Sequence, residues 1–291
     1  MARGPRPVSD VVIMVDWSAR SAPSPRRPAR DAIFIAEHGP AGAEADVTYC
    51  RTRAAAQAHL EARLDAALAA GRGVTAGFDF PFGYPRGFAR AVTGSDDPLA
   101  LWAWLAEAVA DDARNANNRW AVAERLNALL PGVGPFWGCP AARASAVLPA
   151  RGSLRHGHGM PERRAAEARL ARAQPCWKLF TTGSVGSQAL LGLPRLQALR
   201  RRYGDALAVR PFEDRAAPIL LAEVYPSLLD RAVRARQRPG EIPDAAQVRV
   251  LAAAFAGLAP GLRETMLREG DREEGWITGL GHEAALVAAL G

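Results

Sequence analysis

Three apolar runs in this sequence end on an acid. VVIMV (11–15) runs into Asp16, VTAGF (74–78) into Asp79, and ILLA (219–222) into Glu223. A carboxylate at the end of a buried strand is costly to desolvate unless something pairs with it. In open α/β sheets, ligands gather beyond the carboxyl ends of the strands, and neighbouring strands lie about 4.8 Å apart. If the strands carrying Asp16 and Asp79 are neighbours, two like charges meet there. A divalent cation with oxygen ligands resolves that conflict, and Mg²⁺ or Mn²⁺ suits an all-carboxylate donor set. Asp244, in PDAAQVRVLAAA, is expected at the N-cap of a late helix and is a candidate fourth ligand. Several acids around one or two such ions suit in-line displacement at phosphorus. Taken singly, each acid also has a structural reading: Asp16 as acceptor for turn amides, Glu223 as partner of an arginine, and Asp244 as a helix cap.

Two further groups have the right chemistry for a site. TTGSVGSQALLG (181–192) is a Ser/Thr/Gly turn opening a helix, just after Lys178, the only lysine in the chain. Backbone amides and hydroxyls at such a turn suit phosphate, with Lys178, Thr182, Ser184 and Ser187 as donors; the alternative is an ordinary helix start. RHGHGMPERR places His156 and His158 in a Gly-rich loop beside Arg155, Arg163 and Arg164. The histidines are candidates for metal ligation or general acid catalysis, against a solvent-facing role. Trp102, Trp104, Trp120, Phe136 and Trp137, at helical spacing among leucines, read first as core and second as a base-stacking surface. Phe80, Phe82 and Tyr84 follow Asp79 in a Pro/Gly loop, as a wall over the site or a closure of the sheet end.

The elements that must position these residues follow from periodicity. Strands are expected at 11–18, 31–39, 46–53 and 73–80, with a helix at 54–71 whose Leu60, Leu64 and Leu68 share one face. The order β-β-β-α-β implies sequential strands and then a crossover. The Pro/Arg-rich stretch SAPSPRRPAR between the first two strands is a loop or flap. Helices are expected at 97–113, 117–130 and 162–173, with another opened by the 181–192 turn, separated by a long irregular stretch. Strand pattern returns at 218–227 and helices at 244–257 and near the end. This predicts one α/β domain over 1–291, with a helical insertion or cap at 96–205.

Composition narrows the class. Of 291 residues, 49% are apolar, enough for a sizeable core. No run of about 18 uncharged apolar residues exists, so no membrane span is expected, and the basic start MARGPRPVSD lacks a signal peptide's apolar stretch. The expected location is cytoplasmic. Cys50, Cys139 and Cys176 have no metal-ribbon or disulfide spacing and read as buried thiols. The net charge of +7 suits a polyanion such as nucleic acid. It also fits an arginine-rich composition, with charge spread along the chain rather than gathered in one tail.

VDWS (15–18), FDFPFGYP (78–85), EVYPS (223–227) and PDAAQVRVLAAA (243–254) together resemble a family of predicted RNase H-fold nucleases, domain of unknown function 429. The resemblance covers most of the chain and is weakest in the helical middle. It implies an RNase H-like mixed sheet, three antiparallel strands and then parallel ones, with flanking helices. It also implies Asp16 and Asp79 as the core metal pair, Glu223 and Asp244 as the later acids, and nucleic acid or a nucleotide as substrate. RNase H itself has an acid on the helix after the third strand, where Glu61 and Asp65 stand here. RHGHGMPERRA and WKLFTTGSVGSQALLGLP are similar to segments of proteins labelled for molybdopterin guanine dinucleotide synthesis. A Walker-type GTPase is excluded, because no G-x-x-x-x-G-K-[ST] is present. The rival expectations are a nucleotide- or phosphate-binding enzyme or accessory protein on the same fold, and a non-catalytic adaptor.

Overall fold

The computed structural model describes residues 11–39, 44–181 and 183–291. In chain order the elements are β1 (Val11–Asp16), β2 (Ile33–His38), β3 (Asp46–Cys50), α1 (Arg53–Ala69), β4 (Val74–Phe78), α2 (Phe88–Thr93), α3 (Pro98–Ala108), α4 (Arg119–Asn127), α5 (Ala165–Ala168), α6 (Gly186–Tyr203), β5 (Leu207–Val209), β6 (Ile219–Glu223), α7 (Asp230–Arg236), α8 (Pro243–Gly257), α9 (Pro260–Arg268) and α10 (Glu283–Ala288). The strands form one mixed sheet in the order β3-β2-β1-β4-β6-β5. β1, β2 and β3 are antiparallel, and β1, β4, β6 and β5 run parallel. The α/β class, the change from antiparallel to parallel pairing and the flanking helices are thus as the sequence predicts. β5 was not expected, because three residues, LAV, carry no readable period.

The central strands are apolar throughout because both faces of the sheet are covered. Val11, Ile13 and Val15, with Val74, Ala76 and Phe78, face a core shared with α1, α3, α4 and α6. Val12 and Met14 face the opposite core, built largely from α7, α8 and α10. The 96–205 helices are therefore one wall of the main core. α1 starts at Thr52, whose hydroxyl accepts from the Ala55 amide at 3.1 Å, and it buries Leu60, Leu64 and Ala67. The helix expected over 162–173 shrinks to the single turn of α5. Arg163 donates to the carbonyls of Glu167, Leu170 and Ala173 in its place, so those groups are satisfied without a helical ladder. Among the described residues no single helix is long and apolar enough to cross a membrane.

α6 presses on the loop that follows β4. A Cβ on Gly192 would come within 2.3 Å of the Phe80 ring, and Phe80 is itself packed among Trp17, Phe78 and Phe82. Gly192→Ala is therefore expected to destabilise the fold by about 1–3 kcal/mol, as overpacking does. Thermal unfolding measures this; an unchanged melting temperature would mean that α6 is free to retreat.

Candidate functional site

Side chains alternate across a strand with period two, and this rule decides which acids meet. Along β1, Val12 and Met14 face the α8 side, so Asp16 does too. Along β4, Val74, Ala76 and Phe78 face the other core. Gly77 lies against Met14 and Val224 on the α8 side, and Asp79, two residues on, follows it. β1 and β4 are parallel neighbours with Val15 opposite Phe78. Asp16 and Asp79 therefore leave adjacent strand ends towards the same face. Their carboxyl groups lie close enough to act on each other's titration, an arrangement that favours one shared proton when nothing else bridges them.

Backbone amides hold this pair in place. The Trp17 amide donates to Asp79 Oδ1 at 2.7 Å. Asp244 is brought to the same end of the sheet by α8. It occupies the second position of the helix, after Ile242 as cap and Pro243 as first residue, which corrects the expected N-cap placement: proline is favoured at the first helical position, and it moves the boundary back by two residues. Asp244 Oδ2 accepts from the amide of Asp31 at 2.8 Å. Asp31 sits at the end of the flap with φ 58°, a left-handed conformation that Asp tolerates better than most residues, and its carbonyl accepts from the Ser18 hydroxyl at 2.6 Å. Asp31 was missed in the sequence. A short loop acid with no periodic context carries no signal of its own.

The electrostatics record the crowding. Burial, then the charge of Asp79, then their hydrogen bond, with smaller contributions from Asp244 and Asp31, lift Asp16 well above the usual carboxylate range. Burial pushes Asp79 up to about 6, against the stabilising hydrogen bonds from Asp16 and the Trp17 amide. Burial raises Asp244 also, opposed by the Asp31 amide. A carboxyl with a raised native pKa adds stability while protonated and loses it as it ionises. Without a divalent ion, the contribution of Asp79 is thus complete below its ordinary pKa of 3.8 and falls away as the pH rises through about 6, while Asp16, held well above the usual range, keeps its proton. The melting temperature in EDTA is expected to decline over that window, and Asp79→Asn is expected to flatten the decline. A wild-type melting temperature that climbs over the same window contradicts the raised pKa of Asp79.

Glu223 does not join the pair. It stands opposite Phe78 in register and so faces the other side of the sheet. There it is buried and receives Arg164 Nη1 at 2.8 Å, Arg164 Nη2 at 2.6 Å and the Phe82 amide at 2.9 Å. Arg164 also pairs with Glu167 at 2.9 Å and donates to the Glu274 carbonyl at 3.0 Å. This ion network clamps α5 and the 271–275 turn to the end of β6. Of the readings open to Glu223, the arginine partner describes its surroundings.

The remaining candidates lie elsewhere. Glu61 accepts from Gln57, and Asp65 pairs with Arg202 and Tyr203, so α1 turns both towards α6 rather than towards Asp16. His156 is exposed and contacts the Leu154 carbonyl; His158 accepts from the Met160 amide, and burial together with Arg155 lowers its pKa. Neither histidine figures among the groups acting on Asp16 or Asp79. Ser187 spends its hydroxyl on the Leu179 carbonyl at 2.7 Å. Lys178 contacts Gln174 and lies over the Trp137 ring. The Ser184 amide bonds the Thr181 carbonyl, while Thr182 lies outside the described residues. The turn does reach the acid pair indirectly: Gln188, in the first turn of α6, donates to the Trp17 carbonyl at 2.5 Å.

Among the described residues no group of three or more His, Cys, Asp or Glu side chains closes into a ready metal cage. The donor set still fits a hard divalent ion. Two carboxyl groups at adjacent strand ends, with a third acid acting on both, are compatible with Mg²⁺, which keeps several waters and takes only one or two protein carboxylates. No family model, curated protein or solved structure matches the chain.

Proposed function

We propose that this protein is an Mg²⁺- or Mn²⁺-dependent hydrolase of phosphodiesters in nucleic acid or nucleotides, built on an RNase H-like core. The observation that carries the reading is the Asp16–Asp79 pair on the same face of two adjacent parallel strands, with Asp244 acting on both from the first turn of α8. The sheet order, antiparallel through β1 and parallel from β1 to β4, supports the RNase H-like part. Asp16 and Asp79 would hold the ion, and Asp244 would act on its hydration shell. A bound ion there supplies an activated water and a counter-charge for the phosphoryl oxygens. The chain itself fixes the geometry: the Trp17 amide sets the rotamer of Asp79, the Asp31 amide sets that of Asp244, and the Gln188 contact with Trp17 ties α6 to the site.

The reading as a phosphate-binding enzyme or accessory protein has less support, because the Ser187 hydroxyl is spent on the Leu179 carbonyl and Lys178 contacts Gln174. Incubation of single- and double-stranded oligonucleotides with Mn²⁺ or Mg²⁺, against EDTA, tests the proposal. Cleavage that requires the ion is the expected result; turnover in EDTA at the same rate, or none with either ion, counts against it.

A further inference from the structure

The basic residues occur along the whole chain, but the surplus over acids is concentrated in one segment. Residues 114–180 hold eleven basic and three acidic side chains, a surplus of eight, against +7 for the whole chain. The surplus is central rather than terminal, and the segment includes Trp120, Trp137 and Phe180.

Within that segment the Arg119 guanidinium lies 4.3 Å from the centre of the Trp120 ring. Phe180 meets Trp120 edge-on, with ring centroids 6.1 Å apart. Trp120 is half-buried, and Phe180 is 43% exposed, an uncommon position for a phenylalanine. Trp137 stands close by, since the Leu179 amide donates to its carbonyl, and it carries Arg155 at 5.3 Å and Lys178 at 6.0 Å. Cations thus lie against both indoles, with Phe180 as the exposed ring beside them. Arg119 is 7% exposed, and its Nε has no partner. Burial, then the nearby Arg53, lowers Arg119 to about 10, so it keeps its charge at neutral pH.

Two chains of contacts join this surface to the acid pair. Arg119 Nη1 donates to the Ser21 hydroxyl at 2.8 Å, and Ser21 lies five residues beyond Asp16. The Lys178 carbonyl accepts from the Gly186 amide at the start of α6, and α6 reaches Trp17 through Gln188. Aromatic faces interleaved with cations bind unpaired bases and their phosphates with little regard to sequence, whereas a duplex hides its base faces.

We propose that the Arg119–Trp120–Phe180 surface binds single-stranded nucleic acid, stacking an unpaired base on the aromatic pair and leading the strand to Asp16 and Asp79. The delivery to those acids rests on the hydrolase reading; the binding does not. The test is fluorescence anisotropy of a fluorescein-labelled single-stranded oligonucleotide with the full chain in EDTA, where no metal-dependent step intervenes. The wild type should bind it more tightly than the duplex of equal length or poly-glutamate, and affinity should fall with salt. Phe180→Ala, which removes an exposed ring, and Trp120→Ala should each weaken binding about tenfold, with Trp120→Phe restoring most of it. Equal affinity in Phe180→Ala and the wild type, or a preference for duplex or poly-glutamate, overturns the proposal. Ring-dependent binding without any cleavage leaves it standing and defeats the hydrolase reading. Cleavage of a small phosphodiester without oligonucleotide binding does the reverse.

Discussion

Asp79→Asn is expected to lower metal-dependent cleavage by at least about a thousandfold while leaving the protein folded. The substitution keeps the shape of the side chain and an oxygen to accept from the Trp17 amide, so the local geometry survives. It removes one of the two charges that would hold the ion. Counter-charge from a bound metal is worth several kcal/mol at the transition state, and each 1.36 kcal/mol is tenfold in rate. In EDTA the variant should melt at or above the wild-type temperature at neutral pH, because a crowded charge has gone. Asp16→Asn should behave alike, since Asp16 is the other member of the same crowded pair. Loss of activity without a fall in melting temperature separates this effect from unfolding. Retained activity in both variants would place the chemistry elsewhere on the molecule.

Glu223→Ala should do the opposite: it should cost about 3–5 kcal/mol of stability, the usual result of stranding one member of a buried ion pair. The stranded group is Arg164, which is 1% exposed and keeps only Glu167 as a charged partner, while the Phe82 amide loses its acceptor. Glu223→Gln, which retains an acceptor, should lose less. The distinguishing readout is chemical denaturation in EDTA. A metal ligand would show its cost only when the ion is present; Glu223→Ala should show the whole cost without it. Wild-type stability of Glu223→Ala in EDTA would mean that the Arg164 network does not support the fold.

The strands and the acid pair were legible in the sequence for one reason. A sheet covered on both faces leaves continuous apolar runs, and an acid that interrupts such a run is conspicuous. The same continuity conceals which face each acid takes. VVIMVD and ILLAE look alike, yet Asp16 faces α8 and Glu223 faces the α5 clamp, because the register of β6 against β4 is set by pairing that no local pattern records. Asp244 is visible as the acid at a helix start, but Pro243 takes the first helical position and so sets Asp244 inside the helix rather than at its cap. The contribution of Asp31 depends on a left-handed residue at the end of the flap, which depends in turn on the tertiary fold. The aromatics divide similarly. Trp102 is fully buried, as helical spacing implies, whereas Trp120 sits on α4 at the edge of the same core, and spacing alone does not distinguish centre from rim.

The central claim is that Asp16 and Asp79 form one negative site that takes a divalent ion. Titration with Mn²⁺, followed by the electron paramagnetic resonance signal of the free ion, tests it without reference to any substrate. The account predicts saturable Mn²⁺ uptake by the wild type at neutral pH, displaced by Mg²⁺ and lost in both Asp16→Asn and Asp79→Asn. Uptake that persists undiminished in those variants, or a wild type that leaves all the Mn²⁺ free, would contradict it.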